Sequence, residues 1–372
     1  MKITAVDALY LRLPEIKART DSSQDALLIR IETDAGITGW GEVDSCPWVI
    51  KAIIEAPTSH TLVTGLRQLL LGENPMDIAR LWRKMYEATI YYGRDGALIH
   101  AMAGIDLALW DIKGKALKMP VWQVIGGKFR DKLRVYASNM FQFTPEASAD
   151  RLAKAKDQGF TAAKFGWEPF GRSDLGLDLR FLDALRKAAG PEFDIMLDVG
   201  LVWDATTTIQ RAKAFEPYGL FWIEEPLHPD DVEGYGKVAS RISQRLAAGE
   251  EECTLRGFER LIDDGGIQLA QIDLTRCGMT GALAIAAHAA AKGIPVANHN
   301  FTTDINTAAS LHFLAAVPNS LVLEYCVEPS EISRALAQDP FKLIDGHFHV
   351  PDAPGLGVEP NMAIVERFLV KD

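Results

Sequence analysis

With 372 residues, 48% of them hydrophobic and 24% charged, the chain has ordinary globular composition and length enough for one large domain plus a smaller one. A net charge of −11 with no Lys/Arg run excludes nucleic acid and anionic membrane surfaces as expected partners. The most apolar internal stretch, 281–297, is interrupted by His288, Lys292, Gly293 and Pro295, so no bilayer span is expected. The segment Met1-Lys2-Ile3-Thr4-Ala5-Val6-Asp7 reaches an acid at once and has no apolar core of signal-peptide length. The four cysteines, Cys46, Cys253, Cys277 and Cys326, form no Cys-x-x-Cys pair. Both features fit a cytoplasmic protein with buried free thiols.

Residues 1 to about 125 read as a unit. Two β-type runs, 4–13 and 26–33, flank a polar loop at 14–25, and Asp34-Ala35-Gly36 is a hairpin turn into a short strand at Trp40. Helical patterns follow over 50–71, 77–91 and 97–116, the last with Ile105, Leu109 and Ile112 on one stripe. From about 133 the rhythm changes. Short apolar runs at 133–138, 161–165, 194–198, 220–224, 245–250, 267–273, 294–299 and 321–324 alternate with helical segments. That is the pattern of a (β/α)8-type barrel. The remainder, 340–372, contains a strand-like His347-Phe348-His349-Val350 and is expected to pack back on the first unit.

In such barrels the active site lies at the carboxyl ends of the strands. The last polar residues of barrel runs two to eight are Lys164, Asp198, Glu224, Glu250, Asp273, His299 and Glu324. After Asp198 they recur every 23 to 26 residues, about one βα unit, so all seven can converge on one mouth. Ionisable groups at such buried positions cost stability unless they pair or bind metal. Asp198, Glu224 and Glu250, with no Cys or His among them, suit a hard octahedral cation: Mg²⁺ best, with Mn²⁺ as substitute. The alternative is an internal ion network, with Lys164 as the only cation at an equivalent strand end. Adjacent Glu225, Glu251 and Glu252 leave the register of two ligands open, and strand alternation favours the first residue of each run. His299 and Asp273 stand on neighbouring strands, where the carboxylate can fix the imidazole tautomer and leave the other nitrogen as acid or base. The other histidines, His347 and His349 included, read as structural.

Trp222-Ile223-Glu224-Glu225-Pro226, Gly249-Glu250, Gln271-Ile272-Asp273 and Asn298-His299-Asn300 resemble the barrel motifs of the mandelate racemase subgroup of the enolase superfamily. Gly104-Ile-Asp-Leu-Ala-Leu-Trp-Asp-Ile-Lys-Gly-Lys115, followed by Gly126-Gly127, is similar to the signature closing its capping domain. The resemblance covers essentially the whole chain. It implies an α+β capping domain over 1–125, a modified (β/α)7β TIM barrel over 126–340, and a segment 341–372 that completes the cap. It further implies Asp198, Glu224 and Glu250 as Mg²⁺ ligands, a His299–Asp273 dyad, Glu324 as hydrogen-bond partner of the substrate carboxylate, and a homo-oligomer. The shared chemistry is removal of a proton next to a carboxylate, with a Lys or His base and Mg²⁺.

Members that work on both faces of the substrate carry Lys-x-Lys at the end of barrel strand two. Here Lys164 matches the first, carboxylate-contacting lysine, and Gly166 stands in place of the second, the base. Asp198-Val-Gly200 also lacks the Asn often found two residues after the first ligand. One base disfavours simple racemisation. A single histidine still serves dehydration, so the expected activity is that of an acid-sugar dehydratase acting on an aldonate or aldarate. The alternatives are an epimerase using Lys164, a cycloisomerase of the muconate type, and a non-catalytic sugar-acid binding protein. Candidate substrate contacts are Arg19, Trp48, Asn139, Trp167 and Trp203.

Overall fold

The computed structural model describes residues 1–19, 21–337 and 341–371. The expected boundary at residue 340 therefore lies outside the described residues. Strands β1 (Ile3–Arg12), β2 (Asp25–Thr33) and β3 (Thr38–Val43) form an antiparallel sheet in that order. Helices α1 (Pro47–Glu55), α2 (Leu66–Leu70), α3 (Ile78–Ala88), α4 (Ala97–Leu117) and α5 (Val121–Ile125) follow.

The continuous helix expected over 50–71 is instead two short ones. Pro57 pushes Ala56 out of helical backbone, to a ψ of 135°, and Gly65 folds back so that its N–H donates to the Ala56 carbonyl at 3.1 Å. Helix α4 is buried nearly all round, between β3 on one side and α11 (Leu274–Ala291) on the other. That close approach explains Gly41, where a Cβ would stand 2.0 Å from the Gly104 carbonyl oxygen. Gly41→Ala should force β3 off α4 and destabilise the protein by about 1–3 kcal/mol, the usual cost of overpacking, measured as a lower urea midpoint.

The barrel begins with β4 (Lys132–Met140), α6 (Pro145–Asp157), β5 (Ala162–Gly166), α7 (Leu175–Ala189), β6 (Asp194–Asp198) and α8 (Ala205–Phe215). It continues through β7 (Trp222–Glu224), α9 (Val232–Ala239), β8 (Leu246–Ala248), α10 (Leu255–Asp263), β9 (Leu269–Ile272), α11, β10 (Val296–Asn298), α12 (Asp304–Ala316) and β11 (Leu323–Cys326). Eight parallel strands in the order β10-β9-β8-β7-β6-β5-β4-β11 with seven intervening helices make the modified (β/α)7β barrel. Each of the seven helices starts on an Asp or Thr whose side chain accepts an amide of the first turn, from Thr144 before α6 to Thr303 before α12.

The ring closes differently at one join. Between β10 and β11 the backbone supplies a Val296–Ser320 bridge, with the Leu321 N–H on the Val296 carbonyl at 2.8 Å. Further up, the Asn298 side chain replaces the ladder: its Oδ1 accepts the Glu324 N–H at 2.7 Å and its Nδ2 donates to the Glu324 carbonyl at 3.4 Å.

After β11 come α13 (Glu331–Ala335), β12 (His347–His349) and α14 (Met362–Phe368). The tail does not pack on the first unit alone. Strand β12 pairs antiparallel with residues 132–134 of β4, and Phe348 packs on the outer face of the barrel against Tyr325 and Phe341. Farther on, Leu369 bridges Leu11 of β1, and the Val370 N–H donates to the Tyr10 carbonyl at 2.8 Å. No described helix is long and apolar enough to cross a membrane.

Two buried carboxyl groups join the N-terminal layer to the barrel. Glu42 of β3 meets the start of α12, and Asp106 of α4 accepts Thr280 Oγ1 at 2.6 Å and Thr280 N–H at 2.9 Å on α11. Burial pushes Glu42 up to about 8 and Asp106 up to about 7, against the hydrogen bonds that favour their ionised forms. The folded state thus holds protons that the unfolded chain has already released. The stability from these groups is complete below the ordinary carboxylate range and is lost as pH rises through about 7 to 8. The melting temperature should therefore lose this contribution between about pH 4 and pH 8, and lose less in the Glu42→Gln/Asp106→Asn double variant.

Candidate active site

Strand alternation builds the site. Ala162, Met196, Trp222, Ala297 and Val322 belong to an apolar layer inside the barrel. Two residues further along each strand direction, on the same inward face, come Lys164, Asp198, Glu224, His299 and Glu324. Glu250 arrives differently: Gly249, with φ at 136°, ends β8 and lets the next side chain turn inward. Of the adjacent glutamates, Glu225 is buried as well and accepts the Gly249 N–H at 3.0 Å, while Glu251 reaches toward Arg276 at 3.8 Å.

One carboxylate oxygen from each of Asp198, Glu224 and Glu250 lies within 4.8 Å of the other two, and all three residues are buried. Among the described residues Glu250 Oε2 has no hydrogen-bond partner, and Asp198 accepts the Gly200 N–H at 2.9 Å. Burial and the neighbouring Glu250 charge push Asp198 up to about 7. A hard-oxygen donor set with an orphaned oxygen and crowded negative charge is what a divalent cation would relieve, so these residues fit one. Asp44, Asp273 and His299 form another compact group, as do Glu225, Glu250 and Glu251. Asp273, however, is already committed to His299 and Thr275.

The Lys164 ammonium pairs with Glu224 and lies 2.8 Å from Glu324 Oε1. The ion network weighed as an alternative is thus present in part, but it centres on Glu224 and Glu324 and leaves the Glu250 oxygen free. Burial would lower the Lys164 pKa; Glu224 and Glu324 outweigh it and hold the amine firmly protonated. His299 Nδ1 lies 2.6 Å from Asp273 Oδ2, and His299 Nε2 lies 3.6 Å from Glu250 Oε2. Burial alone would push the imidazole down, yet Glu250 and Asp273 raise it to about 10. The Glu324 Oε2 accepts the Asn300 N–H at 2.8 Å, which ties β11 to the residue after His299.

A cavity of about 190 Å³ opens on this cluster. Of the five candidate substrate contacts, Asn139 and Trp167 line it. Trp167 has φ at 65°, and Gly200 leaves it room: a Cβ there would stand 2.8 Å from the indole. The missing Asn at position 200 and the Trp at 167 are therefore linked by space.

The other three do not reach the cavity. Arg19 is held by Asp21 and by Glu328 Oε2 at 3.0 Å, a salt link between the first loop and the end of the barrel. Trp48, in the first turn of α1, packs edge-on against Tyr10 in an apolar groove of the N-terminal layer. Trp203 is buried behind the site, with its indole N–H on the Gly171 carbonyl at 2.9 Å and its ring among Phe170 and Phe215.

Sequence reasoning missed Ser22, Phe301 and Arg276, which line the cavity. Ser22 Oγ donates to the Phe301 carbonyl at 3.2 Å, so the 14–25 loop does reach the mouth, through a residue with no motif of its own. Arg276, one turn into α11 after Asp273, could have been found from that spacing. It donates to the Glu250 carbonyl at 2.5 Å and to Asp44 Oδ2 at 3.0 Å. His312 is structural as expected, set between the Trp122 N–H and the Leu356 carbonyl.

A family model described as "Mandelate racemase / muconate lactonizing enzyme, N-terminal domain" matches residues 3–126, and one described as "Enolase C-terminal domain-like" matches 147–364. The chain belongs to the mandelate racemase subgroup of the enolase superfamily. Among its relatives, a D-galactonate dehydratase from Pectobacterium atrosepticum is 34% identical over 354 residues, 91% of this chain and 90% of that protein. A D-galactarolactone cycloisomerase from Agrobacterium fabrum is 29% identical over 394 residues, end to end in both. Among solved structures, a predicted mandelate racemase from Rhodobacter sphaeroides superposes with a TM-score of 0.92 at 33% identity, covering 100% of this chain and 96% of that one. Relatives in this family are thus enzymes of acid-sugar chemistry, both dehydratases and cycloisomerases.

Proposed function

We propose that the chain is a hydro-lyase that dehydrates an acid sugar, an aldonate or aldarate, to a 2-keto-3-deoxy acid. The observation that carries this reading is, among the described residues, a single oriented imidazole facing the carboxylate cluster, with no second base opposite. Asp273 accepts from His299 Nδ1–H; by themselves Glu250 and Asp273 hold the imidazole protonated, and a divalent cation on Glu250 would offset that pull and leave Nε2 as the proton acceptor at the cavity. Lys164 supports the reading because a permanently charged ammonium between two carboxylates cannot accept a proton. It can anchor the substrate carboxylate beside Glu324. At position 166 the residue is Gly, and a Cβ there would lie 2.7 Å from Asp198 Oδ2, so the space for a second base is taken by the carboxylate.

In the proposed reaction His299 Nε2 takes the α-proton as the electron pair moves into the carboxylate. Asp273 stabilises the resulting imidazolium. The same proton then passes to the β-hydroxyl, which leaves as water, and the enol tautomerises to the keto acid. Asp198, Glu224 and Glu250 would hold Mg²⁺, the ion this superfamily uses, whose charge would stabilise the second negative charge that builds on the carboxylate.

A cycloisomerase is the second reading, favoured by the end-to-end match to the Agrobacterium enzyme. Proton NMR in D₂O with Mg²⁺, over aldonic and aldaric acids and their lactones, separates the two. A 2-keto-3-deoxy product establishes dehydration. Isomerisation of a lactone without loss of water establishes the second reading. Deuterium at the α-carbon with neither would sink both and return Lys164 as a base.

A further inference from the structure

Two carboxylates two residues apart, Glu42 in the cap strand β3 and Asp44 just after it, each grip a segment that carries half of the His299–Asp273 pair. Asp44 Oδ2 accepts the Arg276 Nη2–H, in the first turn of α11, which Asp273 caps. Glu42 Oε2 accepts Thr303 Oγ1 at 2.7 Å and the Asn306 N–H at 3.0 Å, at the start of α12, which follows His299. From there the contact runs inward. The Asn306 amide is oriented by Ser310 Oγ, which donates to its Oδ1 at 3.3 Å; its Nδ2 therefore faces Asp273 Oδ1, at 3.3 Å. The same oxygen takes the Thr275 N–H at 2.7 Å and Thr275 Oγ1 at 2.6 Å, while the other oxygen, Oδ2, meets His299. Glu42, Thr303, Asn306 and Asp273 are all fully buried, so no water competes along the path.

We propose that Glu42 and Asn306 are positioning residues that let the capping layer set the aim of His299, by fixing the plane of the Asp273 carboxylate. The physical reason is rotational. Thr275 donates twice to Oδ1 from its own helix turn, while Oδ2 meets the His299 imidazole and lies 4.0 Å from Arg276 Nε. The Asn306 amide, arriving from the next helix, adds a third donor to Oδ1 from a different direction and so narrows the plane in which the carboxylate can lie. Glu42 in turn holds the first turn of α12, so Asn306 reaches Asp273 only while β3 is seated on the barrel. The imidazole then has its productive tautomer and direction only in the assembled two-layer protein. This rests on His299 being the proton-transfer group of the proposed function, but its structural half can be tested without any substrate.

The test is downfield proton NMR and histidine ¹⁵N shifts of the full chain, with the His299 Nδ1–H signal assigned by its loss in His299→Asn. In Asn306→Ala and Glu42→Leu that signal should move upfield and exchange faster with water. In Glu42→Gln, which keeps an acceptor oxygen for Thr303 and Asn306, it should persist. Asn319→Ala is the control: its amide holds the Ala286 and Ile294 carbonyls, and its loss should lower the melting temperature without touching the signal. On whichever acid the wild type turns over, Asn306→Ala should lower kcat about tenfold with KM unchanged, the scale of lost outer-shell partners. A signal unmoved in Asn306→Ala, with only the melting temperature lowered, overturns the proposal. A displaced signal in a protein that turns over no acid would leave the positioning contact standing and remove the function assigned to it.

Discussion

His299→Asn is expected to lower kcat by about 10²–10⁴-fold, the usual worth of a positioned acid–base group, while substrate still binds. Asparagine is close in size and its amide can still donate to Asp273 Oδ2, so the geometry around the dyad is kept. What it cannot do is hold a proton between the two half-steps. Calorimetric titration with the turned-over acid should give a dissociation constant near that of the wild type, and formation of the wild-type product should stop. Full activity in this variant would mean that Lys164, not His299, moves the proton. Loss of binding together with turnover would mean that His299 is a substrate anchor.

Lys164→Met should give the largest stability effect of any single change at the site. Its ammonium is the partner of two fully buried carboxylates, Glu224 and Glu324. Removing one member of a buried pair leaves uncompensated charge and typically costs about 3–5 kcal/mol. Urea denaturation in EDTA should show this loss. Because Lys164 and a divalent cation would share Glu224, adding Mg²⁺ should raise the melting temperature more in the variant than in the wild type. Equal shifts would show that the two do not share a ligand, and would move the cation away from Glu224.

The barrel was legible because each βα unit repeats the same physical problem. A short apolar run must end at a mouth where a polar side chain is tolerated, and that puts Lys164 through Glu324 in phase. The dyad followed from adjacency of two such ends. What escaped lies across the seam between layers. Glu42 and Thr303 are 261 residues apart in sequence, and nothing local at either one announces the other. Trp48 and Trp203 read as substrate contacts because they sit on the right segments. Which way an aromatic turns is decided by the nearest space to fill, and Tyr10 and the Phe170–Phe215 cluster supply that space first. The break in the 50–71 helix was readable at Pro57; the hydrophobic rhythm on either side masked it. The division of the tail between β4 and β1 depends on which edges are open, a property of the finished fold.

The Asn298 side chain, standing in for backbone pairing at the β10–β11 join, has a consequence for how this architecture diversifies. Elsewhere around the ring the relative heights of neighbouring strands are locked by main-chain geometry, which no point mutation alters. Between His299 and Glu324 that offset is set in part by one amide. A lineage could retune the gap between its proton-handling residue and Glu324 by a single codon change, while the rest of the hoop stays as it is.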